Sequence, residues 1–149
     1  MAGTFASNMA VVTLLGIAQD GGRPQPGCTR ACCQGLTEQD YRSPVSLGIK
    51  TNNGTTLLIE ATRDLGRQLR MMNNPSIDHL FITHAHLGHV DGLGLFGRET
   101  MSARNIKLHC SPSMYSLIER TPAWNQLLLQ NVLESGAFPR IEIDDVLVE

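Results

Sequence analysis

The decisive stretch of this chain is Thr83-His84-Ala85-His86-Leu87-Gly88-His89. Three of the five histidines in the sequence stand within these seven residues. The segment before them, residues 79–83, is typical of a short buried strand. Because alternate side chains of an extended segment point to the same side, His84 and His86 can converge on one point. Gly88 allows the backbone to turn, which brings His89 towards them.

This spacing predicts a metal site formed by His84, His86 and His89, because neutral imidazole is the commonest metal ligand in proteins. We expect zinc, as one ion or two, and another divalent metal is compatible with the same side chains. The alternative is that the three histidines are ordinary surface or core residues, as most isolated histidines are. Their clustering at the end of a strand favours the metal site.

The pattern His84-x-His86-x-Gly88-His89 resembles the HxHxDH signature of the metallo-β-lactamase superfamily, with glycine in place of the aspartate. Residues 14–28, 57–64 and 92–99 are similar to the branch of that superfamily that includes pyrroloquinoline quinone biosynthesis protein B. The resemblance implies a layered α/β fold, the αββα sandwich. It also implies that residues 1–149 form a single domain truncated at its C-terminus, the N-terminal half of the sandwich. The alternative is a half-size protein that completes its sheets as a homodimer.

Apolar periodicity and turn signals predict the remaining elements. Strands are predicted at 11–16, 46–50, 55–60, 79–83, 106–110 and 138–143, and helices at 64–72, 93–102 and 111–120. Residues 52–54, Asn-Asn-Gly, are a hairpin signal, Asp64 is a candidate helix cap, and residues 1–8 are expected to be frayed. Strands that lead and then alternate with helices are typical of mixed α/β layers.

The glycine at position 88 affects the chemistry that the resemblance implies. In the family, the residues matching His84 and His86 hold one metal, and those matching Gly88 and His89 hold a second. Further ligands come from the second half of the fold. Glycine can neither bind a metal nor accept a proton from the attacking water. We therefore expect this HxHxGH motif to favour a single zinc, or no hydrolysis, over two-metal hydrolysis.

Two aspartates are candidates for replacing the missing carboxylate. Asp91 is a candidate catalytic residue, three positions after Gly88 and on the same helical face. Its alternative role is that of an ordinary carboxylate at the start of a helix. Asp20 follows the first strand, where it either faces the site or is a turn residue.

Three cysteines form a second cluster. Cys28, Cys32 and Cys33 lie within six residues of a loop rich in glycine and proline. Clustered cysteines in a cytosolic chain indicate metal binding more than a disulfide, and the resemblance implies a structural zinc in this loop. Adjacent cysteines share one ion only if the chain turns tightly, so free thiols are the alternative. Cys110 and His109 are interpreted as residues of a strand, Cys110 as buried.

Composition limits the function. The 149 residues fit one domain, and an apolar content of 42% is ordinary for a globular protein. A net charge of −2 gives no indication of nucleic acid or an anionic membrane as partner. The sequence contains no apolar run of transmembrane length, and residues 9–18 are interpreted as a strand rather than a signal peptide. We expect a cytoplasmic protein.

Three functions remain open, and whether the chain is an enzyme is open with them. The first is a zinc-dependent hydrolase-fold protein that acts on a small molecule by hydrolysis or zinc-assisted oxidation, with a link to quinone cofactor biosynthesis implied by the resemblance. The second is a non-catalytic metal-binding or cofactor-binding protein on the same fold. The third is a phosphodiesterase or nuclease of the superfamily, against which the charge balance argues.

Overall fold

The computed structural model describes residues 9–149, so the expectation for residues 1–8 lies outside the described part of the chain. Within that part, a central sheet contains six strands in chain order. They are β1 (Val11–Gly16), β2 (Ser46–Lys50), β3 (Thr56–Ile59), β4 (His79–Phe81), β5 (Ile106–His109) and β6 (Leu133–Ser135). Strands β1 to β3 pair antiparallel, and β3 to β6 pair parallel.

The helices of the described residues are short. They are α1 (Leu65–Met71), α2 (Leu87–Val90), α3 (Pro112–Arg120) and α4 (Pro122–Leu129). Helix α3 begins as predicted, because Pro112 stands in its first turn and the Ser111 hydroxyl accepts a hydrogen bond from the Met114 amide. Among these helices, none combines the length and the apolar character that crossing a bilayer requires.

The sheet is buried on both faces at β3 and β4, whereas much of β1 is exposed, and alternation along the strands decides which face each side chain joins. Leu58 and Leu80 belong to the larger core that the helices cover, and both are fully buried. Their neighbours Leu57 and Phe81 point to the opposite face, where a hairpin packs against them. The hairpin consists of β7 (Ile141–Ile143) and β8 (Val146–Val148). The layers are thus helices, sheet and hairpin, which confirms the mixed α/β prediction.

Several predicted elements differ from the structure. The helix predicted at 93–102 is only a 3₁₀ turn, Leu93–Phe96, because glycines at 94 and 97 disfavour a regular helix. The strand predicted at 138–143 is shorter and pairs with β8. Helix α4 and strand β6 were not predicted from the sequence. The expected hairpin turn at residues 52–54 is confirmed between β2 and β3, with Gly54 at a φ of 90°.

Asp64 stands at the predicted N-cap position of α1, but its side chain does not cap the helix. It makes no hydrogen bond to the first turn of the helix. The Tyr41 hydroxyl instead donates to its carboxylate at 2.9 Å. This bond ties the loop before β2 to the start of α1. Burial, and then the hydrogen bond to Asp64, raise the pKa of Tyr41.

Candidate metal centre

The histidine loop lies at the carboxyl edge of the sheet. Strands β3 and β4 are parallel, so the residues that follow them emerge side by side. The Glu60 amide donates to the Phe81 carbonyl at 2.8 Å, and the Ala61 amide donates to the His89 carbonyl at 2.9 Å. These two bonds fix the loop that follows β4 against the end of β3. The site is therefore built on strand ends rather than on a free loop.

Glu60 is a buried carboxylate in an unusual backbone conformation. Its φ of 68° lies in the left-handed region, which costs a residue other than glycine about 1–3 kcal/mol. Its side chain is 4% exposed and accepts a hydrogen bond from the Thr83 hydroxyl. A strained, buried carboxylate that faces a cluster of histidines is typical of a functional site.

The contacts of Thr83 determine the tautomer of His84. The single hydroxyl proton of Thr83 is donated to Glu60. The Thr83 oxygen must then accept the proton of His84 Nδ1, which lies 2.8 Å away. His84 Nε2 consequently keeps the lone pair that a metal ion requires.

His89 lies deeper than its neighbours. It stands in α2, its amide donates to the His86 carbonyl at 2.9 Å, and its side chain is 11% exposed. Its Nδ1 lies 3.5 Å from Glu60 Oε1, and its Nε2 lies 3.5 Å from Asp20 Oδ1. Among the described residues, this Nδ1 is a buried nitrogen without a hydrogen bond. A small movement towards Glu60 would satisfy Nδ1 and leave Nε2 as the ligand nitrogen.

The three histidines of the motif converge. The ring centre of His84 lies 4.6 Å from that of His86 and 4.1 Å from that of His89. Donor atoms of Glu60, His84 and His89 lie within 4.8 Å of one another. The side chain of His86 is 75% exposed, with Nδ1 4.0 Å from Asp20 Oδ2. Glu60, His84 and His89 are close enough to share Zn²⁺ or another divalent cation, and His86 and Asp20 lie beside them.

Gly88 allows close packing at this site. It lies inside α2, where a left-handed turn is not needed. A Cβ atom at this position would lie 2.3 Å from Asp20 Cα and 2.5 Å from Asp20 Cβ. The expectation that Gly88 serves a turn is thus corrected, because its small size makes room for the loop after β1. Asp20 fills both roles considered for it, since it lies in the turn from Gln19 to Gly22 and its carboxylate faces His86 and His89.

Asp91 has a different partner. Its carboxylate forms an ion pair with Arg63 at 2.8 Å. It follows the last residue of α2, so the alternative of a carboxylate at the start of a helix is wrong. Its catalytic role stays a prediction, whereas Asp20 and Glu60 are the carboxylates in contact with the histidines. Glu60 was missed as a site residue, although a glutamate directly after an apolar strand was the available signal.

The cysteine cluster is also brought together. A 3₁₀ turn, Ala31–Cys33, supplies the tight turn that adjacent cysteines need, and the sulfurs of Cys32 and Cys33 lie 3.9 Å apart. The sulfurs of all three loop cysteines, Cys28 included, lie within 4.8 Å of one another. Two sulfurs on one tetrahedral zinc are separated by roughly 3.8 Å, since each Zn–S bond is about 2.3 Å. The geometry therefore fits the predicted structural metal.

The remaining histidines, His79 and His109, are hydrogen-bonded to each other. His109 Nδ1 lies 2.8 Å from the Ala137 carbonyl, which can only accept, so His109 Nε2 accepts from His79 Nδ1 at 2.8 Å. Burial, and then the neighbouring His109, lower the pKa of His79. Both ring nitrogens of His109 make hydrogen bonds within the protein. His109 is the last residue of β5, in agreement with its interpretation as a strand residue. Burial raises the pKa of the adjacent Cys110 thiol to about 11.

Comparison by sequence gives one partial match. No family model matches the chain. An 80-residue segment is 35% identical to an octanoyltransferase of Porphyromonas gingivalis (strain ATCC BAA-308 / W83) and covers 54% of this chain but 16% of that protein. Because only 16% of the transferase is matched, we draw nothing about this chain from the name of that protein.

Solved structures match over most of the chain. A diphosphatase of the PhnP family is 26% identical with a TM-score of 0.69, and covers 90% of this chain and 53% of its own. Zn²⁺-bound PqqB from Methylobacterium extorquens is 19% identical with a TM-score of 0.74, and covers 90% and 48%. The short form of human tRNase Z is 20% identical with a TM-score of 0.50, and covers 81% and 39%.

These comparisons extend what the geometry indicates. The chain spans about half the length of the diphosphatase and of PqqB. The matched part is the N-terminal part of each protein and carries their layered arrangement of sheet and helices. The chain therefore has the metallo-β-lactamase fold, a metal-dependent hydrolase fold, over the N-terminal part of that architecture.

Proposed function

We propose that this chain carries the histidine centre of a metal-dependent hydrolase that acts on a small-molecule phosphate ester or anhydride. The observation that carries the proposal is the convergence of the three motif histidines with the carboxylates of Asp20 and Glu60. The diphosphatase that is 26% identical supports the phosphate class of substrate. The proposal includes that the protein is an enzyme and that its preferred metal is zinc.

The protein's own residues give the centre its selectivity for a cation. Two carboxylates, Asp20 and Glu60, add negative charge beside imidazoles whose neutral forms are ligands. Glu60 holds Thr83, which in turn orients His84. The exposed ring of His86 marks the side from which water and substrate reach the centre. A bound divalent cation would lower the pKa of its water to about 7 and polarise a phosphoryl oxygen.

A small substrate is proposed in preference to nucleic acid. The net charge of −2 gives no overall attraction to the phosphate backbone of RNA or DNA. The likeness to tRNase Z, at 20% identity, concerns the fold alone. The likeness to PqqB, at 19%, does so too, and the link to quinone cofactor biosynthesis stays a hypothesis. The cytoplasmic location and the homodimer likewise stay predictions.

The test measures metal binding and turnover in the same samples. The chain is loaded with Zn²⁺ or Mn²⁺, and bound metal is counted after dialysis. Hydrolysis is then followed with p-nitrophenyl phosphate, bis(p-nitrophenyl) phosphate and p-nitrophenyl acetate. The variant His84→Ala/His86→Ala removes two imidazoles, and Leu87→Ala, at a 67% exposed position between the ligands, is the matched control.

We expect histidine-dependent metal binding and turnover of a phosphate substrate, both lost in the double variant and kept in Leu87→Ala. Binding without turnover of any of the three esters would support the non-catalytic metal-binding function instead. Absence of metal that depends on His84 and His86 would overturn the proposal. Turnover of the diester alone would favour the phosphodiesterase.

A further inference from the structure

We propose that Asp20 supplies to the histidine centre the carboxylate that its HxHxGH motif lacks at position 88. The motif residue and Asp20 come from different parts of the chain, yet the fold brings them into contact. The inference deepens the proposed function and rests on it, because it names a further ligand of the same centre.

The distance from Asp20 to His89 is that of two ligands that share an ion, and the distance to His86 is longer. Asp20 Oδ1 lies 3.5 Å from His89 Nε2, and Oδ2 lies 4.0 Å from His86 Nδ1. Two ligands on one tetrahedral ion, with bonds of about 2.1 Å, lie roughly 3.4 Å apart. The carboxylate thus stands at ligand spacing from His89 and slightly farther from His86. These histidines flank position 88 in the motif.

A side chain at position 88 and the side chain of Asp20 exclude each other, because both need the same space. A Cβ atom at position 88 would lie 2.3, 2.5 and 2.9 Å from the Cα, Cβ and Cγ atoms of Asp20. The side chain of Asp20 therefore begins where a side chain at position 88 would begin. A chain with aspartate at position 88 could not hold the loop after β1 in this place. Glycine in the motif and a carboxylate in that loop form one arrangement.

The loop that carries Asp20 is held on both sides. The Ala18 amide donates to the Ser43 carbonyl at 3.0 Å, and the Gly22 amide closes a turn onto the Gln19 carbonyl at 2.8 Å. Gly22 has a φ of 72°, which glycine adopts without strain. Arg23 and Arg42 then exchange backbone hydrogen bonds of 2.8 and 2.9 Å. With the backbone fixed, the half-exposed carboxylate is presented to the histidines.

The experiment measures Zn²⁺ and Co²⁺ affinity at the histidine centre alone. Both Cys32 and Cys33 are replaced by serine in every sample, so that thiolate binding does not contribute. Asp20→Asn removes the charge and keeps the shape, Asp20→Glu keeps the charge, and Glu119→Gln neutralises an exposed carboxylate on α3 as the matched control. Affinity is obtained by competition with a chromophoric chelator, and the visible spectrum of bound Co²⁺ reports its coordination.

We expect Asp20→Asn to weaken metal binding about tenfold or more and to change the Co²⁺ spectrum, since even outer partners of metal ligands contribute about 10- to 100-fold. Asp20→Glu should lie closer to the parent than to Asp20→Asn, and Glu119→Gln should equal the parent. Circular dichroism and urea unfolding without metal show whether each variant folds.

The outcomes separate this inference from the proposed function. If His84→Ala/His86→Ala abolishes binding while Asp20→Asn matches Glu119→Gln, Asp20 is not a ligand, and the histidine centre stands. If Asp20→Glu binds as weakly as Asp20→Asn, the carboxylate is not what matters, and the inference is overturned. If the parent itself binds no metal through its histidines, both fall together.

Discussion

The two candidate metal centres of this chain are held in different ways. The histidine centre lies on the ends of β3 and β4, with buried Glu60 and backbone hydrogen bonds fixing its side chains. The cysteine centre lies on a loop of 3₁₀ turns, where Cys32 is exposed and Cys28 and Cys33 are half-buried. The first centre is preformed by the core, whereas the second lies on a more exposed loop, and we expect a bound ion to add order to that loop.

Thiol chemistry should give the largest contrast between the core and the cysteine loop. At pH 8, a pKa of about 11 leaves roughly one Cys110 in a thousand as thiolate, and the residue is buried as well. We expect the three loop cysteines to be alkylated by iodoacetamide in EDTA while Cys110 stays unmodified. Zn²⁺ should protect the loop cysteines. Peptide mass spectrometry over time measures each rate.

The control for this experiment is the double variant His84→Ala/His86→Ala. If the two centres are independent, Zn²⁺ protects the loop cysteines in this variant as well. Loss of that protection would show that the centres do not form separately.

Alanine at two glycines tests the same contrast through stability. Gly88→Ala forces Asp20 out of its place, and we expect overpacking to lower the free energy of unfolding by about 1–3 kcal/mol and to weaken metal binding. Gly27→Ala, in the cysteine loop, meets no atom within 4 Å but has a φ of 75°, so its cost is about 1–2 kcal/mol of backbone strain. Urea unfolding measures both.

Gly94→Ala is the matched control, because a Cβ atom there meets no atom within 4 Å and no positive φ is required. We expect it to leave stability unchanged or to raise it by up to about 1 kcal/mol. A Gly88→Ala variant as stable as Gly94→Ala, with metal binding intact, would contradict the close packing of Asp20 on α2.

Mild acid should have the smallest effect on the metal-free protein, and here it is followed at His79, a residue outside both centres. Burial and His109 lower the pKa of His79 in the folded state. At His79 the folded protein therefore binds fewer protons than the unfolded chain, and the stability that neutral His79 contributes is present above about pH 6.5 and is lost as the pH falls below it. We expect the imidazole signal of His79 to titrate below pH 6.5 by NMR, and metal-free unfolding in urea to become easier between pH 7 and 5.5. A midpoint above 6.5 would contradict the lowering of the His79 pKa by burial and His109.

Local patterns were sufficient where neighbours in sequence are neighbours in space. The histidine motif, the hairpin at residues 52–54 and the start of α3 at Pro112 were predicted because spacing, turn residues and caps act over a few positions. The helix predicted at 93–102 failed because glycines at 94 and 97 outweigh its apolar spacing. Helix α4 was missed although Pro122 stands in its first turn.

The sequence by itself determined which side chains can bind metal, because His84, His86 and His89 need only a strand end and one turn of helix to converge. Only the tertiary structure decided which carboxylates join them. Asp20 reaches the centre from the loop after β1, whereas Asp91, much nearer in sequence, is paired with Arg63. The physical reason is that sheet pairing and the space left by Gly88, rather than distance along the chain, determine which groups meet.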